Sequence, residues 1–228
     1  MSSLLSARGL TKIYQLAHGE VIVLRDCDFD LAASEAVAII GPSGAGKSTL
    51  LNLLSGLDDP TAGRISYADR PLDLSGDKLA AWRRHHVGFV FQFHFLMPDF
   101  SALENLLIPL RMHGPLGPGD EDRALSLLDR MGLADRADHL PGELSGGEQQ
   151  RVAVARAFMN GPSIVMADEP FGNLDREKGR QLSELLFELR AESGCALIIV
   201  THDLELASRA DRVLEIRDAG IRPAEVIT

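Results

Sequence analysis

Cysteine, tryptophan and tyrosine are scarce in this chain, with two, one and two copies in 228 residues. Two isolated thiols, Cys27 and Cys195, cannot build the disulfide framework of a small secreted domain. Their apolar surroundings predict core residues of a reduced, cytosolic protein. Long hydrophobic runs are absent as well: no stretch approaches the ~18 apolar residues of a membrane-spanning helix, so direct membrane insertion is not expected. The opening stretch MSSLLSARGLTKIYQ lacks the apolar centre of a secretory signal, which predicts a chain that remains in the cytosol. Positive charge is also in short supply. With 23 Lys and Arg against 33 Asp and Glu, the net charge is -10, which excludes nucleic acid as an expected partner because phosphate neutralisation needs clustered cations. The one local basic run, Arg83, Arg84, His85 and His86, reads as a solvated face.

What is present starts with enough chain for one well-cored domain, able to bury roughly 70 to 75% of the surface its unfolded form exposes. Up to about residue 91, short β-rich runs (VIVLRDCDF, EAVAII, RISYA, VGFVF) surround one apolar helix, TLLNLLSGL, which Gly56 and Pro60 end. From about 100 to 160 the pattern is helical: SALENLLIPLRM, DRALSLLDRMGL and a helix opening at SGGEQQRVAVARAFM. Beyond 160, strands and helices alternate, with Leu182, Leu185, Leu186 and Leu189 at helical spacing between SIVMAD and CALIIV. Wholly apolar strands in a βαβ alternation predict a parallel sheet buried on both faces.

Five of the nine phenylalanines fall between residues 89 and 100, in FVFQFHFLMPDF. A buried strand accounts for Phe89 and Phe91. Gln92 and His94 interrupt the other face, and Pro98 and Asp99 end any strand, so Phe95, Leu96, Met97 and Phe100 are expected on an exposed loop.

The stretch GPSGAGKST fits G-x-x-x-x-G-K-[ST] between an apolar strand and a helix. Gly41, Pro42, Ser43, Gly44, Ala45 and Gly46 would wrap a phosphate closely, presenting backbone N–H groups and a helix N-terminus to its charge. Lys47 would add a mobile positive charge, and the Ser48 hydroxyl, with Thr49 beside it, a ligand for Mg2+. The bound nucleotide and Mg2+ are the cofactors so predicted. In SIVMADEP an apolar strand delivers Asp168 and Glu169 to the edge where sites of open α/β sheets lie. Asp168 suits the Mg2+ shell through a water, and Glu169 can accept a proton from an attacking water. The pair before Pro170 can also be read as capping the next helix. A guanine-specific N-K-x-D is missing, which weakens a GTPase reading.

LSGGEQQRVAVARA is a further anion-facing element. Ser145, Gly146 and Gly147 open a helix whose Val152, Ala155 and Phe158 face inward, while Ser145 and Glu148 have capping-box spacing. The paired glycines clear side chains away as if something must approach.

Together, the P-loop at 41 to 48, Gln92, LSGGE at 144 to 148, DEP at 168 to 170, GNLD at 172 to 175 and His202 in VTHD resemble, in order and spacing, the nucleotide-binding domains of ABC transporters. The resemblance covers nearly the whole chain. It implies an α/β fold: a RecA-like P-loop NTPase core over 1–91 and 161–228, an N-terminal antiparallel β subdomain within it, and an inserted helical signature subdomain over 92–160. It also implies an ATP-dependent, head-to-tail homodimer in which the signature of one copy closes over the ATP of the other. Within each site Tyr14 would stack on adenine, a position that otherwise reads as a half-buried strand aromatic. Gln92 would sense Mg2+ and the γ-phosphate, Asp175 would link the two sites, and His202 would position the γ-phosphate and attacking water. Phe95, Leu96, Met97 and Phe100 would then dock an integral-membrane ABC subunit, which places the chain peripherally on the cytoplasmic face of the inner membrane.

The stretch FQFHFLMPDFSALEN is similar to the LolD-type ATPases of lipoprotein-releasing systems, more so than to those of macrolide efflux or of cell-division and cell-wall regulation. The chain ends soon after its last strand, so the fused membrane region that macrolide exporters carry is not expected. Soluble ABC ATPases of DNA repair or translation need a coiled-coil insertion or tandem cassettes, and neither is seen. Two positions depart from the LolD-type pattern: Phe95, where a second histidine is usual, and Phe171, in place of the common Thr before GNLD.

Overall fold

The computed structural model describes residues 3–17, 19–72 and 76–224. The chain divides into two compact units, Met1–Arg83 with Gly194–Thr228, and Arg84–Ser193.

The first unit begins with β1 (Leu5–Leu16) and β2 (Gly19–Leu31), a long antiparallel hairpin. Next come β3 (Ala36–Ile40) and α1 (Lys47–Ser55), followed by β4 (Ala62–Tyr67) and the short β5 (Arg70–Pro71), which complete an antiparallel sheet in the order β2-β1-β4-β5. The helix α1 stops where expected: Gly56 adopts a left-handed φ of 67°, and its N–H closes onto the last turn. α2 (Gly76–His86) follows; no helix is expected there from sequence, because Leu79 is its one fully buried apolar side chain. Nor is the basic run within it a solvated face. Arg83 donates to the carbonyl of Gly56, which caps the end of α1, and Arg84 and His86 are half-buried.

The second unit contains β6 (Val87–Phe91), α3 (Ala102–Arg111), α4 (Asp120–Arg130), α5 (Gly146–Phe158), β7 (Ile164–Asp168) and α6 (Arg176–Ser193). Capping boxes start α3 at Ser101 with Glu104 and α5 at Ser145 with Glu148, each worth about 1 kcal/mol. β6 and β7 run parallel, with Phe91 opposite Asp168. β6 packs so closely on α5 that a Cβ on Gly88 would lie 2.1 Å from the carbonyl oxygen of Ala157. Only glycine fits.

The chain then returns to the first unit with β8 (Ala196–Val200), α7 (Leu204–Ala207), β9 (Arg212–Arg217) and β10 (Gly220–Pro223). β3 lies between β8 and β9, parallel to both, and β10 forms an antiparallel edge on β9. Every residue of β8 and four of five in β3 are buried, as a strand covered on both faces requires. Cys27 and Cys195 are buried free thiols. Among the described residues no helix is long and apolar enough to cross a membrane.

Candidate functional site

In the first unit the phosphate-binding candidates sit where β3 meets α1. Gly46 immediately precedes α1 with a left-handed φ of 100°, and a Cβ there would lie 2.7 Å from Val23 Cγ1, so the position is closed to other residues on two counts. Gly44 also has positive φ, but nothing lies within 4 Å of where its Cβ would point. The loop is therefore tight behind and open in front. Lys47 is buried and folds back over it, donating to the carbonyls of Gly41 at 3.0 Å and Pro42 at 3.1 Å. A ligand phosphate can take those donors directly. Pro42, Ser43 and Ser48 are exposed and Ala45 and Thr49 half-buried around the same turn. An open glycine cradle, a helix N-terminus and a lysine with mobile donors fit a polyphosphate, and the exposed Ser48 hydroxyl fits a hard divalent cation.

His202 belongs to the same edge of this unit. Parallel pairing puts Val200 opposite Ile39, so the residues just past the ends of the two strands, Gly41 and His202, emerge side by side; His202 is exposed. Tyr14, on β1, is 37% exposed. Its hydroxyl donates to Asp58 at 2.7 Å.

In the second unit, the pairing of Phe91 with Asp168 brings Gln92 and Glu169 out together beyond β6 and β7. Glu169 sits at φ 44°, a left-handed conformation uncommon for a residue with a side chain and typical of positions held for a purpose. Gln92 and Asn173 bond reciprocally, side chain to side chain at 3.2 Å and Asn173 Nδ2 to the Gln92 carbonyl at 3.1 Å. Behind them Gln150 of α5, 1% exposed, donates to the carbonyls of Phe91 and Pro170. One buried side chain thus fixes the exits of both strands.

The start of α5 lines a recess of about 290 Å3 with His94, Arg151, Asn173, Asp175 and Lys178. The Ser145 hydroxyl does not point outward unengaged; it donates to Glu148 at 2.7 Å, and the Ser145 N–H donates to the same carboxylate. Those bonds, the hydroxyl's first, hold the Glu148 carboxyl below its ordinary pKa. The glycines are the informative positions. A Cβ on Gly146 would meet nothing within 4 Å, and one on Gly147 would find only ordinary contact, 3.8 Å, with Leu174. Nothing inside the unit needs them to be glycine. Asp175 is exposed and starts α6, accepting from the Lys178 N–H at 3.0 Å and pairing with the Lys178 ammonium at 3.0 Å. The Lys178 N–H bond, then the ammonium, depress its pKa.

The chain matches the ABC transporter family over residues 24–172. It belongs to that family. The curated relatives include the lipoprotein-releasing system ATP-binding protein LolD of Idiomarina loihiensis, 50% identical over 220 residues and covering 96% of both chains. The LolD of Hydrogenovibrio crunogenus is 46% identical over 226 residues, 98% of each. Among solved structures, a dimeric ATP-binding cassette in a post-hydrolysis state bound to ADP and phosphate is similar with a TM-score of 0.89 at 36% identity, covering 98% of this chain and 99% of that one. The P-loop NTPase fold and the ABC ATPase class expected from sequence are those of this chain.

In this ABC cassette the phenylalanine-rich segment is a loop from Gln92 to Ser101, as expected. Phe93 and Phe95 are 64% and 63% exposed and Met97 and Phe100 are exposed, whereas Leu96 is half-buried. The rings do not hang loose. Phe91 and Phe95 pack edge to face at 5.4 Å, and the main chain beneath is clamped from two helices. Arg156 of α5 donates to the carbonyls of His94 at 2.9 Å and Phe95 at 2.8 Å. Asn105 of α3, fully buried, accepts from the Met97 N–H at 2.8 Å and donates to the carbonyls of Met97, Phe100 and Ser101.

Gln150, Asn105, Arg156 and Asn173 position this site and were not singled out from sequence. A polar residue inside the apolar stripe Ala102, Leu106 and Leu107 of α3 was the available signal for Asn105. For Gln150, one of two adjacent glutamines, there was none.

Proposed function

We propose that this chain is the ATP-hydrolysing subunit of a lipoprotein-releasing ABC transporter, working as an ATP-closed homodimer on the cytoplasmic face of the inner membrane beside integral-membrane subunits. The observation that carries the choice of system is likeness across nearly the full chain to LolD proteins at 46 to 50% identity. What supports closure by a second copy is the pair of glycines at the start of α5, which lack an internal reason to be small.

ATP binding begins at the P-loop, where Lys47 exchanges the Gly41 and Pro42 carbonyls for the phosphates. Tyr14 carries the adenine on its ring. The oxygen donors proposed for Mg2+ are the Ser48 hydroxyl, the Asp168 carboxylate and the Gln92 amide, a set suited to a hard cation; when bound, Mg2+ neutralises phosphate charge. Glu169 accepts the proton of the attacking water, His202 orients that water and the γ-phosphate, and Asp175 links the two halves. Gly146 and Gly147 of the second copy supply N–H donors at a positive helix end, and its Ser145 hydroxyl exchanges Glu148 for the phosphate. Phe95, Met97 and Phe100, with the half-buried Leu96, form the docking patch for the membrane subunit, and its clamped main chain lowers the ordering cost of binding. The same loop begins at Gln92, so γ-phosphate state and membrane movement share one segment.

Pull-down of the tagged chain from native membranes, with identification of bound proteins and lipids, tests the reading. The expected result is a pair of membrane subunits with lipoprotein. Recovery of a macrolide exporter or a cell-wall hydrolase regulator would replace it.

A further inference from the structure

Tyr14 does not stand alone. Its hydroxyl donates to Asp58 Oδ2 at 2.7 Å, the other oxygen of Asp58 takes the Lys12 ammonium at 2.6 Å, and that ammonium lies 4.7 Å from the Tyr14 ring centroid. Lys12 is buried, with its donors completed by the carbonyl of Asp59 at 2.7 Å. Asp58 is itself fixed, its N–H bonded to the Asn52 carbonyl at the end of α1. The helix that begins at the phosphate-binding lysine therefore holds Tyr14 through Asp58, just past its end.

We propose that Asp58 and Lys12 are positioning residues for the nucleotide base. Asp58 anchors the Tyr14 hydroxyl and so fixes the ring plane, while Lys12 occupies one face of the ring and leaves the opposite face for adenine. The arrangement has a physical logic beyond rigidity. A cation on one face draws π-density from the ring, favouring a flat, electron-rich base on the other. Immobilising the ring beforehand removes the entropy that ordering it during binding would cost. This inference rests on the reading that Tyr14 carries the base.

The test compares Asp58→Ala, Lys12→Met, Tyr14→Phe and Tyr14→Ala for KM and kcat with MgATP, and for inhibition by inorganic tripolyphosphate, which has no base. Tyr14→Phe keeps the ring and removes only the anchor, so it remains informative should Asp58→Ala fold poorly. The expected result is a KM for ATP raised about 10-fold or more in Tyr14→Ala and several-fold in Tyr14→Phe, Asp58→Ala and Lys12→Met, with kcat and tripolyphosphate inhibition unchanged. If Tyr14→Ala raises KM while the other three do not, or if tripolyphosphate weakens in parallel with ATP, the positioning role is overturned and the stacking role survives. An unchanged KM in Tyr14→Ala would instead remove the stacking role itself.

Discussion

Gln92 and Asn173 hold one another by two hydrogen bonds, the Gln92 amide to the Asn173 side-chain oxygen at 3.2 Å and Asn173 Nδ2 to the Gln92 carbonyl at 3.1 Å. Gln92 opens the aromatic loop, and Asn173 precedes Asp175 by two residues in the turn that starts α6. On the proposed reading, in which Gln92 senses the γ-phosphate and Asp175 links the two copies, these bonds would pass a change at the phosphate to that turn. Asn173→Ala removes both bonds at an exposed position. Stability should fall by about 1 kcal/mol, within reach of a denaturant titration, while kcat drops several-fold at unchanged KM. A KM effect alone would show that the pair serves binding and not coupling.

Gly146→Ala separates folding from function. Its added Cβ meets nothing inside the chain, and alanine in a first helical turn is stabilising by about 0.4 to 1 kcal/mol. The melting temperature should hold or rise. Steady-state ATPase activity should nonetheless fall, because the methyl group would stand where the second copy is proposed to close. Full activity would mean that α5 faces no partner.

Glu169→Gln removes the proposed proton acceptor and keeps the shape of the side chain. Hydrolysis should slow by about 10² to 10⁴, and size-exclusion chromatography with ATP should reveal an accumulated dimer. Wild-type turnover in this variant would reassign the base.

His94 lies beside Gln149 and the Gly146 main chain, and its pKa is depressed, burial outweighing those hydrogen bonds. A histidine that resists protonation in the folded state adds stability that is complete above about pH 6.5, the ordinary histidine pKa, and is lost as pH falls from there towards the folded value. Equilibrium unfolding from pH 7.5 downward should therefore show a steeper loss in the wild type than in His94→Gln. Parallel curves would exclude any linkage through His94. His86 shifts in the same direction but is common to both proteins.

The local structure of the motifs proposed to hold phosphate was legible because it sits in contiguous stretches with fixed spacing: Gly41 to Thr49 turn tightly into α1, and Ser145 with Glu148 close one helical turn. The strands β2, β3, β4, β6, β7 and β8 and the helices α1, α3, α4, α5 and α6 were legible from apolar period and caps, whereas β1, β5 and β10 were not. What was hidden depends on partners distant in sequence. α2 has almost no apolar stripe, and Arg83 anchors it through the carbonyl of Gly56, so four consecutive basic residues resembled a solvated face. Asp58 carried no signal in the sequence, because the Tyr14 and Lys12 that share its two oxygens lie more than forty positions earlier. Gln150 reads as any helical glutamine, yet its amide joins Phe91 to Pro170.

On the proposed reading each chain carries two halves of different sites. Lys47→Ala spoils only the phosphate half and Ser145→Arg only the signature half, so each purified variant should be nearly inactive. Mixing them should restore ATPase activity, because a mixed dimer unites the intact P-loop of one chain with the intact signature of the other. Hydrolysis at the wild-type rate by the Ser145→Arg chain on its own would contradict the account.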